Sequence, residues 1–388
     1  MPAQSERSRV SAVILAAGMS KRMGQVKQLL SLGEATLLSR VLETARNSQV
    51  DECIVVLGFE AEAIRGKVSL DNARVVINAA YAEGMSSSLR AGLANVNPQS
   101  EAALVMLADQ PLVRPSTIDR LIDEYKKSKP QVAIPMYRGF RGNPVLLDRS
   151  VFADAMAIEG DIGCRAIFGS RVKNILKVSV DDAGILIDAD SPEEFERLSR
   201  ACAEIKNDPT ALSENESVED KQFEAAGDSP SAQPELLVVG REPVVRTLVT
   251  LAKQLHFTVT VVDPLGGIQD FPGADRIVHV LNLSSLPISR RTSVVVASRG
   301  RFDEDAIEEA LATNTEYIAL VSNKKRASEI RRNLESKGVS AERLASFRSP
   351  AGLQIGAVTP EEIALSILAE IVQHWHQQGA SSEARQAG

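Results

Sequence analysis

Five short, almost wholly apolar runs constrain the first half of the chain: SAVILAAG (11–18), CIVVLGF (53–59), ARVVINA (73–79), AALVMLAD (102–109) and VAIPMY (132–137). A strand with one wet face alternates apolar and polar residues, so runs this uniform suit parallel strands covered on both faces. Between them, TLLSRVLETARN, SSSLRAGLANV and STIDRLIDEYKKS carry apolar groups at the three- and four-residue spacing of a helix. A second series follows: ELLVVG (235–240), the helical VVRTLVTLAKQL, FTVTVVD (257–263), IVHVLN (277–282), TSVVVAS (292–298) and YIALVS (317–322). Strand and helix alternate in both halves, the pattern of α/β, doubly wound folds.

What separates the two series is residues 203–235, rich in Glu, Asp, Ser, Pro and Ala and poor in large apolar groups. Such a segment cannot offset its ordering entropy by burial. It holds nine acidic side chains against two lysines, so it accounts for the whole formal charge of -7. The expected organisation is α/β: two doubly wound Rossmann-like three-layer domains, 10–202 and 236–375, joined by a disordered, flexible acidic linker at 203–235, with a disordered tail at 379–388. At 388 residues and 44% hydrophobic composition, two cores of ordinary size can be filled. With 44 Lys and Arg against 51 Asp and Glu, binding nucleic acid by phosphate neutralisation is not expected. Cys53, Cys164 and Cys202 are odd in number and far apart, which argues against a disulfide framework or a zinc knot. No apolar run reaches a membrane span and the opening MPAQSERSR lacks the core of a secretory signal, so no membrane partner and a cytoplasmic location are expected.

The first strand runs into LAAGMSKRMGQVKQLL (15–30), a loop marked by Gly18 and Gly24 that contains Ser20, Lys21, Arg22 and Lys27 and no acidic group. In an open α/β sheet, ligands sit at the carboxyl ends of strands. Glycines let backbone N–H groups approach an anion, and Arg and Lys supply full charges, so the loop suits a triphosphate. It is not the Walker spacing, and a plain turn with solvated lysines is the alternative. LADQP (107–111) ends a later run with Asp109, placed either to bind Mg²⁺ or to start a turn before Pro111. GILIDADSPEEF (184–195) sets Asp188 and Asp190 two apart at another expected strand end, facing one side if the chain stays extended. Ser191, Pro192, Glu193 and Glu194 read as a capped helix start.

Two further stretches are small and polar. In GMSSSLRAG (84–92), Ser86, Ser87 and Ser88 either hydrogen-bond a base or ribose or supply a helix cap. Arg141, Gly142, Asn143 and Pro144 form a turn able to face a second substrate, and Asp161 and Arg165 in GDIGCR are candidate contacts, whereas Cys164 reads as a small buried apolar residue.

Taken in order and spacing, LAAGMSKRMGQVK, GMSSSLRAG, LADQP, GFRGNP, GDIGCR and DADSPEE resemble the MobA-like nucleotidyltransferases over residues 10–200, and most closely their molybdenum cofactor cytidylyltransferase branch. In that family the LAAG and DQP forms accompany CTP, and Leu15, Ala16, Ala17 and Gly18 with Asp109 to Pro111 match them. The resemblance implies attack by the phosphate of molybdopterin on the α-phosphorus of CTP, with pyrophosphate leaving. Arg22, Lys27 and Mg²⁺ on Asp109 would neutralise developing charge. Ser20 and the loop amides would orient the triphosphate, Ser86 to Ser88 would lie near base and ribose, and Asp188 or Asp190 would complete the metal site. The family pattern there is closer to Asp-Ile-Asp-Thr-Pro, so Ala189 and Ser191 depart from it while both carboxylates are kept.

In the second half, LLVVGREPVV invites a dinucleotide reading, with Asp263 ending the next strand, but only Gly240 of the three glycines is kept. Glu242 and Val245 stand at the other two positions, so bound NAD is not expected. From YIALVSNKKRASEIRRNLESKG (317–338) to SPAGLQIGAVTPEEIALSILAEIV (349–372), this half resembles the C-terminal Rossmann-like domain of XdhC/CoxI accessory factors, over about 235–373. Ser298 and Arg299 depart from a frequent Thr-His pair, and Thr359-Pro360-Glu361-Glu362 reads as a capped helix start. Related factors help deliver molybdenum cofactor, which implies an apo-molybdoenzyme of the xanthine dehydrogenase family as partner. The leading expectation is CMP transfer to molybdenum cofactor with binding or hand-over by the second domain. The alternatives are transfer to another acceptor, such as a sugar phosphate or methylerythritol phosphate, and a non-catalytic maturation chaperone.

Overall fold

A computed structural model describes residues 8–20, 22–160, 163–168, 172–207 and 233–386. They fall into two compact units, the first of 8–137 and 141–207, the second of 233–386 together with 138–140. The first unit contains β1 (Val10–Ala16), the two-residue strands β2 (Ser31–Leu32) and β3 (Ala35–Thr36), α1 (Leu37–Arg46), β4 (Glu52–Leu57), α2 (Ala61–Lys67) and β5 (Ala73–Ile77). It continues with α3 (Met85–Leu93), β6 (Ala102–Leu107), α4 (Pro115–Ser128), β7 (Val132–Tyr137), β8 (Phe140–Arg141), β9 (Val145–Asp148), α5 (Phe152–Met156), β10 (Ile175–Ser179) and α6 (Pro192–Asn207). The helices form where apolar groups recur on one face. In α1 the buried Leu37, Leu38, Val41, Leu42 and Ala45 make that face, and the Thr36 hydroxyl caps its start by accepting from the Ser39 N–H.

The main sheet runs β10-β7-β9-β6-β1-β4-β5. The chain steps from β1 to β4 on one flank and later returns to β6 on the other, so Leu15 lies beside Val56 and Leu107 in parallel register. That reversal opens a crevice at the carboxyl ends of β1 and β6. Side chains alternate along β1: Ala12 and Ile14 pack with α1 and α4 on one face, and Val13 with Leu89 and Leu93 of α3 on the other. The apolar runs at β1, β4, β6 and β7 are thus strands buried on both sides, but the run at 73–79 is the edge strand β5, with Arg74 and Ile77 exposed.

Two expectations need correction. The sheet is not purely parallel, since β9 lies antiparallel between β6 and β7. The strand expected at GILID is instead a 3₁₀ turn at Ala183–Leu186, with 187–190 irregular. The buried Asp182 decides this, because its carboxylate accepts from Gly184 N–H, Arg114 N–H and the Thr117 hydroxyl and so binds the segment to the start of α4.

The second unit contains β11 (Glu235–Val239), α7 (Pro243–Gln254), β12 (Thr258–Val262), β13 (Arg276–Val278), β14 (Thr292–Val296), α8 (Asp303–Leu311), β15 (Tyr317–Leu320), α9 (Lys324–Ser336), α10 (Ala341–Ala345), β16 (Phe347–Arg348) and α11 (Pro360–Gln386). Its six strands are all parallel in the order β13-β12-β11-β14-β15-β16, the Rossmann arrangement. One core face brings Val245 and Leu248 of α7 against Ala364, Ile367 and Ile371 of α11. The capped start of α11 is as expected: Thr359 accepts from Glu362 N–H, and Glu362 from Thr359 N–H. Helices extend past both expected ends of order: α6 carries on to Asn207, beyond 203, and α11 to Gln386, beyond 379. Good helix formers such as Glu204 and Lys206, or Ala384 and Arg385, explain the continuation. Among the described residues no helix is long and apolar enough to cross a membrane.

Candidate active site

Ala16 and Ala17 end β1 fully buried, and Leu15 is half-buried beside them, so these three serve packing up to the exposed Gly18. The loop beyond is held from below by Gln28, whose side chain donates to the Ala16 carbonyl at 2.9 Å and the Gly18 carbonyl at 3.2 Å. Gln28 is only 1% exposed and was not among the sequence candidates. Local sequence gives it no signal, since in VKQLL it stands beside the charged Lys27. Ser20 closes the turn, its hydroxyl accepting from the Lys27 N–H at 3.2 Å and its carbonyl from Met23 N–H. Ser20 therefore shapes the loop, whatever it does toward a ligand.

That shape delivers Lys27 to the crevice. Its ammonium lies 2.5 Å from Asp109 Oδ2 and 2.8 Å from Asp190 Oδ1, while Arg22, largely exposed, reaches Asp190 Oδ2 at 2.9 Å. Asp109 follows β6, directly across from the loop that follows β1. Its carbonyl accepts from the Ala189 N–H at 3.1 Å, which draws the 188–190 segment alongside. Lys27, Asp109, Asp190 and Arg22, separated by up to 168 positions, are thus one cluster. Burial disfavours the Lys27 ammonium, but the two carboxylates outweigh it and hold its pKa above the ordinary lysine value.

The carboxylates of the buried Asp109 and the half-buried Asp190 test whether a divalent ion fits. Asp109 Oδ1 is buried with no hydrogen-bond partner, Asp109 Oδ2 faces Lys27, and Asp190 presents both oxygens to cations. Two hard carboxylate donors and one unmatched buried oxygen suit Mg²⁺. Yet among the described residues no group of three or more His, Cys, Asp and Glu stands ready for a metal. The expected trio is therefore not assembled: Asp109 and Asp190 meet through Lys27, and Asp188 stays half-buried two residues upstream.

The serines are not in a loop. Ser86, Ser87 and Ser88 are buried in the first turn of α3, and the cap position belongs to Gly84, so none of them is the N-cap. Asn78, another residue missed in the sequence, donates to Ser87 Oγ at 2.8 Å and Ser88 Oγ at 3.1 Å. Ser87 also donates to the Gly84 carbonyl, which leaves Ser86 Oγ buried without a partner. In the 141–144 turn, Gly142 is a packing residue, because a Cβ there would come within 2.5 Å of the Ile185 carbonyl. Asn143 donates its N–H to that same carbonyl and Pro144 is buried, while Arg141 is half-buried on β8. Asp161 and the side chain of Arg165 lie outside the described residues. Cys164 is buried, as expected of a small apolar residue. Ser191 does cap α6, accepting from Glu194 N–H, while Glu194 reaches back to the Asp190 N–H and steadies that aspartate.

In the second unit the corresponding crevice is occupied by the protein's own side chains. Gly240 (φ 128°) passes so close to β14 that a Cβ would meet the Ala297 carbonyl at 2.1 Å. Arg241 clamps Asp263 through two hydrogen bonds of 2.8 and 2.6 Å, and Asp263 Oδ1 also accepts from the Leu265 and Gly266 amides. Burial would raise the Asp263 carboxyl, but Arg241 and these amides hold it below the usual range. The acid that could have faced a ribose is fully buried. Glu242 pairs with Arg299 at 2.5 Å, and Ser298 with Asp303 at 2.5 Å, so both departures in this loop make internal contacts.

Comparison with known proteins matches each unit to a different domain family. Residues 12–175 match the MobA-like NTP transferase domain, and residues 236–371 match the XdhC Rossmann domain. Nicotine blue oxidoreductase of Paenarthrobacter nicotinovorans is 30% identical over 198 residues, spanning 49% of this chain and 96% of that protein. Molybdenum cofactor cytidylyltransferase of Escherichia coli (strain K12) is 25% identical over 199 residues, spanning 51% of this chain and all of that protein. A crystal structure of the Mycobacterium tuberculosis rv0371c homologue from Mycobacterium sp. strain JC1 is 37% identical, covering 51% of this chain and 98% of that one, with a TM-score of 0.47. The chain belongs to the MobA-like NTP transferases through its first unit and carries an XdhC Rossmann domain as its second.

Proposed function

We propose that the first unit transfers CMP from CTP to the phosphate of molybdopterin cofactor and that the second binds the product or hands it to an apo-molybdoenzyme of the xanthine dehydrogenase family. The observation that carries this reading is the meeting of Lys27, Arg22, Asp109 and Asp190 at the crevice between β1 and β6. The likeness to the E. coli cytidylyltransferase over its whole length supports the choice of base and acceptor.

In the reaction, an acceptor phosphate oxygen forms a bond to the α-phosphorus of CTP as the bond to the β-phosphate oxygen breaks, and pyrophosphate carries away the electron pair. No protein nucleophile is needed, so the chain's work is positioning and charge neutralisation. Lys27 and Arg22 face the triphosphate, and the loop amides after Gly18 close on it. Asp109 and Asp190 would hold Mg²⁺, which when bound neutralises charge on the phosphoryl oxygens.

The 30% identical oxidoreductase favours a second reading, an oxidation–reduction at the same crevice. One screen, run also with a sugar phosphate and methylerythritol phosphate as acceptors, tests the transfer reading. Full-length protein incubated with Mg²⁺, molybdopterin cofactor and each of CTP and GTP is expected to release pyrophosphate and form the cytosine dinucleotide with CTP. Turnover with GTP alone refutes the base, turnover with another phosphate acceptor refutes molybdopterin, and no pyrophosphate with any pair refutes transfer.

A further inference from the structure

The two carboxylates that suit a divalent ion are bridged by the ammonium of Lys27, at 2.5 Å from Asp109 and 2.8 Å from Asp190. A Mg²⁺ ion bound by these oxygens sits about 2.1 Å from each. Ammonium and metal cannot share that position, since each would hold a positive charge within bonding distance of the other's ligands. The ammonium is also well kept: its side chain is 16% exposed, and Ser20 fixes the backbone beneath it. Asp109 Oδ1, buried and unmatched beside it, is the atom that gains a partner when a larger charge replaces the ammonium.

We infer that Lys27 is a tethered counter-ion that closes the carboxylate pair against free divalent ions and opens it only when a nucleoside triphosphate draws the ammonium onto its phosphates. The inference rests on the reading of the crevice as a metal–triphosphate site. Lys27 then has two stations, the carboxylates of the crevice and the phosphates of a bound triphosphate. Metal and nucleotide are thermodynamically coupled, each raising the other's affinity by the same factor. A bare divalent ion has to displace a salt-bridged ammonium and binds weakly. The arrangement also keeps two like charges from facing each other uncompensated.

The test is a Mn²⁺ titration of the full chain, stripped of divalent ions and free of nucleotide, followed by electron paramagnetic resonance. Lys27→Met is expected to take up Mn²⁺ at least about tenfold more tightly than the wild type, within the usual range of such couplings. Lys27→Arg keeps a tethered cation and is expected to stay as weak as the wild type, which controls for disturbance of the fold. Adding Asp109→Asn to Lys27→Met is expected to abolish the gain. Equal Mn²⁺ affinity in wild type and Lys27→Met overturns the inference, as does tight binding by Lys27→Arg. Calorimetry of wild type with CTP and Mg²⁺ tells the two failures apart. Normal CTP binding without the Mn²⁺ gain overturns the counter-ion role alone, whereas no CTP binding overturns the metal–triphosphate reading beneath it.

Discussion

Each unit places an aspartate just past a central strand and pairs it with a cation from the neighbouring loop, but the two pairs are finished differently. Asp263 is fully buried, bidentate with Arg241 and supplied with two backbone amides. Asp109 keeps one buried oxygen unmatched and shares a single-point ammonium with Asp190. A guanidinium fork matched to a carboxylate is a lock. A lysine on a flexible stem between two carboxylates is a charge that can be redirected. The same local chemistry thus makes structure in one domain and an unfinished, ligand-ready site in the other.

The largest effect that can break this contrast is on turnover. Asp109→Ala or Lys27→Ala is expected to lower CTP-dependent pyrophosphate release more than about 100-fold, because each removes a charge aimed at the transferring phosphate. Near-normal rates in both place the chemistry elsewhere. Asp263→Asn is expected to leave that turnover unchanged while destabilising the second unit by about 3–5 kcal/mol, since Arg241 is left buried without its counter-charge. Calorimetry showing an unshifted second transition removes the lock.

A smaller effect follows from pH. The Asp263 carboxyl is held below its ordinary value, so its contribution is complete above about pH 4 and disappears as pH falls through the lower folded value. Acid titration of the second unit, read by circular dichroism, is expected to show stability falling in that acidic window, and Asp263→Asn to flatten the slope there. An identical slope in both chains assigns the acid transition to other groups. The smallest expected effect concerns reactivity. Burial pushes the Cys53 thiol up, ahead of opposing and reinforcing effects of Arg46 and Glu52, and all three cysteines are buried. Thiol labelling of the native chain at pH 7 is expected to be far slower than in denaturant, and rapid native labelling contradicts the packing around β4.

Much of this was legible in the residues. The apolar runs became β1, β4, β6 and β7 because a strand buried on both faces leaves no room for polar alternation, whereas the run at 73–79 became the edge strand β5, half-buried with Arg74 and Ile77 exposed. Lys27 and Asp109 were legible too, as charges standing just past such runs. Less visible was the support beneath them. Gln28 and Asn78 act by reaching backbone and hydroxyl groups distant in sequence, and nothing in local composition distinguishes them from surface amides. The triplet Ser86 to Ser88 read as base or ribose contacts or as a helix cap, but Gly84 already held the cap position and the serines are buried in the first turn of α3. GILID read as a strand, and Asp182 overrode that preference with three hydrogen bonds to the start of α4 and its own turn.

The sequence by itself determined the two α/β units and which loops carry charge, because periodicity and glycine placement are properties of short stretches of chain. Only the tertiary structure decided which charges meet. Asp190 is 163 positions from Lys27, and its place beside that ammonium depends on how the segment before α6 is drawn against Asp109. Whether a carboxylate becomes a lock or a site depends on how many donors surround it, and those donors arrive from elements whose proximity no local pattern encodes.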